Sequence, residues 1–159
     1  MSDMLVKLYA LPPVSPVLAA VENQGITIRR AMAPDKPRIV EWVKTHSSLS
    51  ASGEADVCFS HTPISLFVAT RGKEIVGYAC YNATAPDFFG PTRVLDSEQG
   101  KQIGKALLLR SLHALHDEGY AYAIIGGVGP QQFYEKCVAA TLIEDSKPGI
   151  YKDYLGAKE

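Results

Sequence analysis

The sequence predicts an α/β domain of the α+β type, and three observations carry that prediction. Apolar residues recur at helical spacing in some segments and alternate with period two in others. Strand and helix segments come first, then a meander of β-prone runs, then strand, helix, strand, helix and strand. The 159 residues, 47% hydrophobic and 21% charged, suffice for one domain that buries roughly 70% of its unfolded surface without metal or disulfide staples.

Met4 to Leu11 reads as a short strand stopped by Pro12-Pro13. Ser15 offers an N-cap oxygen, Pro16 a first helical residue, Val17, Ala20 and Val21 an apolar face, and Gly25 a terminator. Residues 1–25 are therefore expected to form a strand-helix extension packed on a domain of residues 26–159. Ile26 to Arg30 alternates as a half-buried strand does. A helix follows from Asp35 and Pro37, with Ile39, Val40 and Val43 as its buried stripe and Trp42 beside them. Lys44 to Pro63 reads as a broken helix or a long loop, and loops of that length often carry function. Ile64 to Thr70 and Ile75 to Tyr81 form a hairpin around Arg71-Gly72-Lys73-Glu74. After a turn from Asn82 to Asp87, Phe88 to Val94 is a strand in which Gly90-Pro91 marks a bulge or bend.

The clearest helix runs from Gln102 to Glu118: Ile103, Leu107, Leu108, Leu112 and Leu115 make its apolar face. Lys101, Lys105, Arg110, His113 and Asp117 can face water, and Gly119 caps the helix. Tyr120 to Ile125 is a strand, Pro130 to Val138 a short helix, and Thr141 to Ile143 the last strand. Tyr120, Tyr122 and Tyr151 read as strand and tail packing.

Sixteen Lys and Arg against seventeen Asp and Glu give a net charge of −1, which disfavours nucleic acid as a partner. No apolar run is long enough to span a bilayer, and Leu8 to Val21 is broken by Pro12, Pro13 and Pro16, so neither a membrane nor a signal peptide is expected. Cys58, Cys80 and Cys137 are three, far apart, and fit free thiols in a cytoplasmic protein. Cys58 with His61, and His113 with His116, have helical i, i+3 spacing, but nothing completes a ligand set, so no metal is expected. No G-x-S-x-G elbow accompanies the Ser, His and Asp residues.

The segment richest in chemistry is Val94-Leu95-Asp96-Ser97-Glu98-Gln99-Gly100-Lys101-Gln102-Ile103-Gly104-Lys105. It is a strand end, a polar loop with two glycines, and the start of an amphipathic helix. Unpaired N–H groups at a helix start, with the positive end of the dipole, suit phosphate oxygens. The Walker loop fails here on spacing, and no G-x-G-x-x-G is present.

The order of these residues resembles the acetyl-CoA loop of the GNAT superfamily of N-acetyltransferases, a strand ending in Val followed by R/Q-x-x-G-x-G/A. Gln99 falls on the R/Q position and Gly104 on the G/A position, while Gln102 stands where the family usually has glycine. A residue with negative φ there still presents its N–H. Phe133-Tyr134-Glu135-Lys136 resembles the family's Y-E-K helix and Ile75-Val76-Gly77 its third strand, so the resemblance runs from Ile26 to Ile143. It implies a twisted, mixed, mostly antiparallel sheet flanked by helices. Its parallel fourth and fifth strands, Phe88 to Val94 and Tyr120 to Ile125, splay around the pantetheine arm. It implies acetyl-CoA as cosubstrate, its pyrophosphate bound by Gln99, Gly100, Lys101, Gln102, Ile103, Gly104 and Lys105. The backbone of Val94 would bind the arm and the oxyanion, and Tyr134 would assist the leaving thiolate.

The chemistry adds its own demands. An amine of pKa near 10 must lose a proton before it attacks a thioester, and a phenol near 10 protonating a thiol near 8.5 is uphill by roughly 2 kcal/mol. No general base stands out: Asp87, His46, Glu54 and His61 lie in segments bordering the acceptor side, and each reads more simply as a surface residue or cap. Phe88 and Phe89 either line the acceptor pocket or pack in the core. The expectation is direct acetyl transfer to a primary amine of a small molecule or peptide, by a chain that is monomeric or homodimeric. The rival is a catalytically weak or inactive acyl-CoA-binding sensor.

Overall fold

Met4, Val6 and Leu8 are buried while Lys7 is exposed, the alternation of a strand with one face in a core. The structure, a computed structural model, describes residues 1–156, and that strand is β1 (Met4–Lys7). Leu8–Ala10 then tightens into a 3-10 turn before the prolines. Helix α1 (Ser15–Glu22) follows. Ser15 is its first residue and not its cap, because Val14 is already helical at φ −85 and ψ −26 and no side chain caps the turn. Strand β2 is Ile26–Arg30, and α2 is Lys36–His46, with Ile39 and Val43 buried. The polar stretch after it breaks at Ser47-Ser48 and resumes as α3 (Leu49–Cys58), where the Ser48 hydroxyl accepts from the Ala51 N–H at 3.0 Å.

Strands β3 (Leu66–Arg71) and β4 (Glu74–Tyr81) form the hairpin, with Gly72 at φ 60 in its turn. Then come β5 (Phe88–Val94), α4 (Ile103–Asp117), β6 (Tyr122–Ile125), α5 (Gln131–Val138) and β7 (Thr141–Leu142). The strands make one seven-stranded sheet in the order β2-β3-β4-β5-β6-β1-β7. All neighbours are antiparallel except β5 and β6. The N-terminal strand thus lies inside the sheet, with Met4 opposite Ile125 on one side and Leu142 on the other.

Alternation along β3 divides the core. Phe67 and Ala69 join α1 and α4 on one face, where Ile103, Leu107, Leu108, Leu112 and Leu115 are buried. Leu66 and Val68 face α2 and α3 on the other, with Ile39, Val43, Ala55 and Cys58. Arg110 does not face water as its spacing suggests: its guanidinium lies 4.7 Å from the centre of the Phe67 ring and its Nε is buried. The helix is enclosed more widely than the apolar stripe indicates, since Ala106, Leu109 and Ser111 are buried as well, and a long stem can lie along an aromatic face.

Candidate functional site

Strands β5 and β6 pair only at Phe88 with Ile124 and Phe89 with Ile125. Gly90 and Pro91 stand opposite the single residue Cys80, because Phe89 pairs with Tyr81 and Thr92 with Ala79. This is a bulge, and proline within it forfeits no ladder bond. Beyond it the strands part, and an open cleft of 1710 Å³ lies between them. Antiparallel ladders alternate bonded and non-bonded pairs. The Leu95 N–H donates to the Val76 carbonyl at 2.9 Å, so the next pair, Gly77 with Val94, is non-bonded. The N–H of Val94 therefore turns away from β4 and toward the cleft.

The start of α4 forms one wall. The Gln102 carbonyl accepts from the Ala106 N–H at 3.0 Å, and no side chain caps the first turn. The N–H groups of Ile103, Gly104 and Lys105 therefore lack acceptors within the helix. All three residues line the cleft, as do Val94, Gln99, Gly100 and Gln102; Lys101 does not. Its ammonium turns back to Glu98 at 3.1 Å, and its carbonyl accepts from Gln24 Nε2. Arg71 holds the same carboxylate at 2.8 Å. Between Arg71 and Lys101, Glu98 is held down to about pKa 2, so this carboxylate beside the loop is neutralised by its own neighbours. Gln102 has φ 68, a left-handed conformation that favours glycine.

Two tyrosines flank the fork. Tyr134, on α5, is 6% exposed and stands edge-on to Phe89 at 6.4 Å and Phe133 at 5.0 Å. Burial, with a smaller contribution from Cys137, pushes its phenol up to about 12. Tyr151 was expected only as tail packing, yet it reaches the cleft and its hydroxyl lies against Gly126, whose N–H closes the fork on the Phe89 carbonyl at 3.2 Å. Its phenol is also pushed up to about 12, chiefly by burial.

Of the four acidic or imidazole residues flagged on the acceptor side, the fold brings only Glu54 to the cleft. His46 packs on Trp42 at 4.4 Å, and His61 Nδ1 sits 2.9 Å from the Ser65 hydroxyl. Asp87 lies in the turn before β5 with Oδ1 buried and unpartnered. Phe89 lines the cleft, while Phe88 packs toward Gly126. Thr84, Tyr151 and Tyr154 also line it. Thr84 lies in the Asn82 to Asp87 turn and the two tyrosines in the tail, segments the sequence places on the acceptor side without singling out these side chains, because nothing local signals that the chain after Pro148-Gly149 folds back to α3. Among the described residues no group of three or more His, Cys, Asp or Glu converges, and no helix is long and apolar enough to cross a membrane.

A family model described as the acetyltransferase (GNAT) family matches residues 28–137. The chain belongs to the GNAT acetyltransferase family. Solved structures agree on the fold. The glucosamine N-acetyltransferase region of a fungal multi-domain β-N-acetylglucosaminidase superposes with a TM-score of 0.72 at 11% identity, covering 89% of this chain and 19% of that one. A GCN5-related N-acetyltransferase from Sphaerobacter thermophilus gives 0.62 at 19% identity, covering 89% and 48%. A GNAT family acetyltransferase from Brucella melitensis, solved with acetyl-CoA, gives 0.51 at 17% identity, covering 74% and 86%. The chain therefore spans about a fifth and about half of the first two chains it matches. No curated protein matches its sequence. Within the GNAT fold, β5 and β6 are the splayed fourth and fifth strands that the resemblance implies, here followed by β1 and β7 in the same sheet.

Proposed function

We propose that the chain transfers the acetyl group of acetyl-CoA directly to a primary amine, with residues 1–25 extending an acetyltransferase domain of residues 26–159. The observation that carries this reading is the uncapped start of α4 in the wall of the cleft. Three N–H groups without helical acceptors, the positive end of a 15-residue helix and the cationic Lys105 suit a diphosphate. Gly100 has nothing within 4 Å of where a Cβ would be, and Gly104 only Phe133 and Val94, so the loop surface is open to a ligand. Gln99, Gly100, Lys101, Gln102, Ile103, Gly104 and Lys105 would hold the pyrophosphate, Lys101 through its backbone alone.

In the reaction the free amine nitrogen forms a bond to the acetyl carbon, the carbon–sulfur bond breaks, and the proton the nitrogen sheds passes through solvent to the departing thiolate. The N–H of Val94 would donate to the oxyanion between those events, a contact whose loss costs about 3 kcal/mol. Tyr134 would donate a hydrogen bond to the departing sulfur. With its phenol at about 12, complete proton transfer to a thiolate of ordinary pKa is uphill by roughly 5 kcal/mol, so hydrogen bonding is its role.

That same phenol favours the second reading, an acyl-CoA-binding sensor with weak or no catalysis. Acetyl-CoA binding followed by thiol release with a panel of amines separates the two. Binding with amine-dependent thiol release supports the transferase; binding without release on any amine supports the sensor; no binding removes both.

A further inference from the structure

The cleft joins the two faces of the sheet. Helix α4 packs on one face and α3 on the other, and residues of both line the opening where β5 and β6 part. Charge is distributed unevenly along it. Near the start of α4, Lys105 makes no ion pair among the described residues, and Glu98 is neutralised by Arg71 and Lys101. At the α3 end the carboxylate is Glu54, and no cation pairs with it among the described residues. The Thr84 hydroxyl donates a hydrogen bond to Glu54 Oε2. That bond orients the carboxylate and leaves Oε1 for another donor. Arg93 lines the same cleft, but its guanidinium is drawn to Asp96 at 3.6 Å and forms no ion pair with Glu54.

The lining at the α3 end mixes the hydroxyls of Ser48, Ser50 and Thr84 with the apolar and aromatic side chains of Val57, Tyr151, Tyr154 and Leu155. Tyr154 is 47% and Leu155 96% exposed, surface that a bound apolar group would remove from water. A lone carboxylate in such a wall attracts a cation and repels an anion, and rings beside it favour a cation on an apolar body.

Resting on the acetyl-transfer reading, we propose that the α3 end of the cleft selects a primary amine as its ammonium ion, carried on an apolar or aromatic body, with Glu54 binding the cation. Amines with a carboxylate beside the nitrogen are disfavoured, because Glu54 would face like charge. Glu54 is a specificity residue here, and the α4 end is independent of it.

The test uses the full chain saturated with CoA and titrated calorimetrically with 2-phenylethylamine or with 3-phenylpropionate, its anionic counterpart. The amine is expected to bind, the acid not, and Glu54→Gln to weaken amine affinity at least tenfold while CoA affinity stays as in the unaltered chain. Glutamine keeps the volume and the acceptor for Thr84. In the unaltered chain, added salt should also weaken amine binding, which tests the contact whether or not the variant folds. Equal amine affinity in both proteins, absence of amine binding, salt-independent affinity or preference for the acid overturns the proposal. Failure of CoA itself to bind shows in the first titration and overturns the acetyl-transfer reading instead, taking this one with it.

Discussion

The amide of Leu95 donates to the carbonyl of Val76 at 2.9 Å, and this bond fixes what the neighbouring residue can do. It makes Val94 and Gly77 a non-bonded pair, so the Val94 N–H serves the cleft and not the sheet. Val94→Pro therefore deletes the donor proposed for the oxyanion without breaking a ladder bond. Turnover is expected to fall about 100-fold or more, with acetyl-CoA affinity within a few-fold. Steady-state kinetics and calorimetry check this, and unchanged turnover in the folded variant moves the oxyanion contact elsewhere.

Gly104 separates crowding from charge. A Cβ there would sit 3.6 Å from Phe133 Cζ and 3.9 Å from Val94 Cγ2, ordinary contact, so Gly104→Ala should fold normally. Gly104→Glu places bulk and negative charge at the start of α4. Acetyl-CoA at 100 times its Kd should stabilise the unaltered chain by about 2.7 kcal/mol. The alanine variant should keep most of that increment and the glutamate variant should lose it, read as a thermal shift.

Gln102 holds φ 68 at the cap position of α4, and a left-handed non-glycine residue costs roughly 1–2 kcal/mol. Glycine relieves that cost but adds freedom to the unfolded chain. Gln102→Gly is expected to gain about 0.5–1 kcal/mol in urea unfolding, with acetyl-CoA affinity unchanged or higher. A loss of stability would mean that the glutamine side chain compensates its own backbone.

The β5-loop-α4 unit was legible because its signals are local: a proline bulge, two glycines and a 3.6-residue period all lie within about 30 residues. On the acceptor side the bordering segments were legible, and Glu54 stood among four candidates there, but which of them reaches the cleft was not. Glu54 is one of several polar residues on α3, and its partner there, Thr84, lies 30 positions later in the sequence. Tyr151 is likewise placed by contacts at Gly126, which no local pattern encodes. The left-handed φ of Gln102 was illegible for the opposite reason, since propensity argues against it and the fold overrides propensity.

Tyr134→Phe should lower turnover about tenfold while leaving acetyl-CoA affinity near that of the unaltered chain. The phenol at about 12 also sets a stability signature. Its folded value lies above the usual 10, so from pH 10 to 12 the folded chain keeps a proton that the unfolded chain loses, and stability falls as pH rises. Tyr151 contributes in the same direction. The phenylalanine variant should show a shallower alkaline loss in urea unfolding at pH 9 to 11, and an identical slope would contradict the burial of the phenol.

Asp87 supplies the acid-side counterpart. Its Oδ1 is buried without a partner, and burial, with the nearby Glu118 charge, pushes its carboxyl up to about 6. The folded chain then prefers the protonated acid. Between pH 4 and pH 6 it binds more protons than the unfolded chain, so the contribution of Asp87 to stability declines as pH rises through that window. At pH 7 the charged carboxylate is a standing cost, and at pH 4 it is absent. Asn removes the charge and tolerates the φ of 65 at this position. Asp87→Asn is therefore expected to be more stable than the unaltered chain at pH 7 and to lose that advantage by pH 4, measured by urea unfolding at both. A gain of equal size at the two values would assign the effect to shape, and a loss at pH 7 would show that the carboxylate is paired in solution.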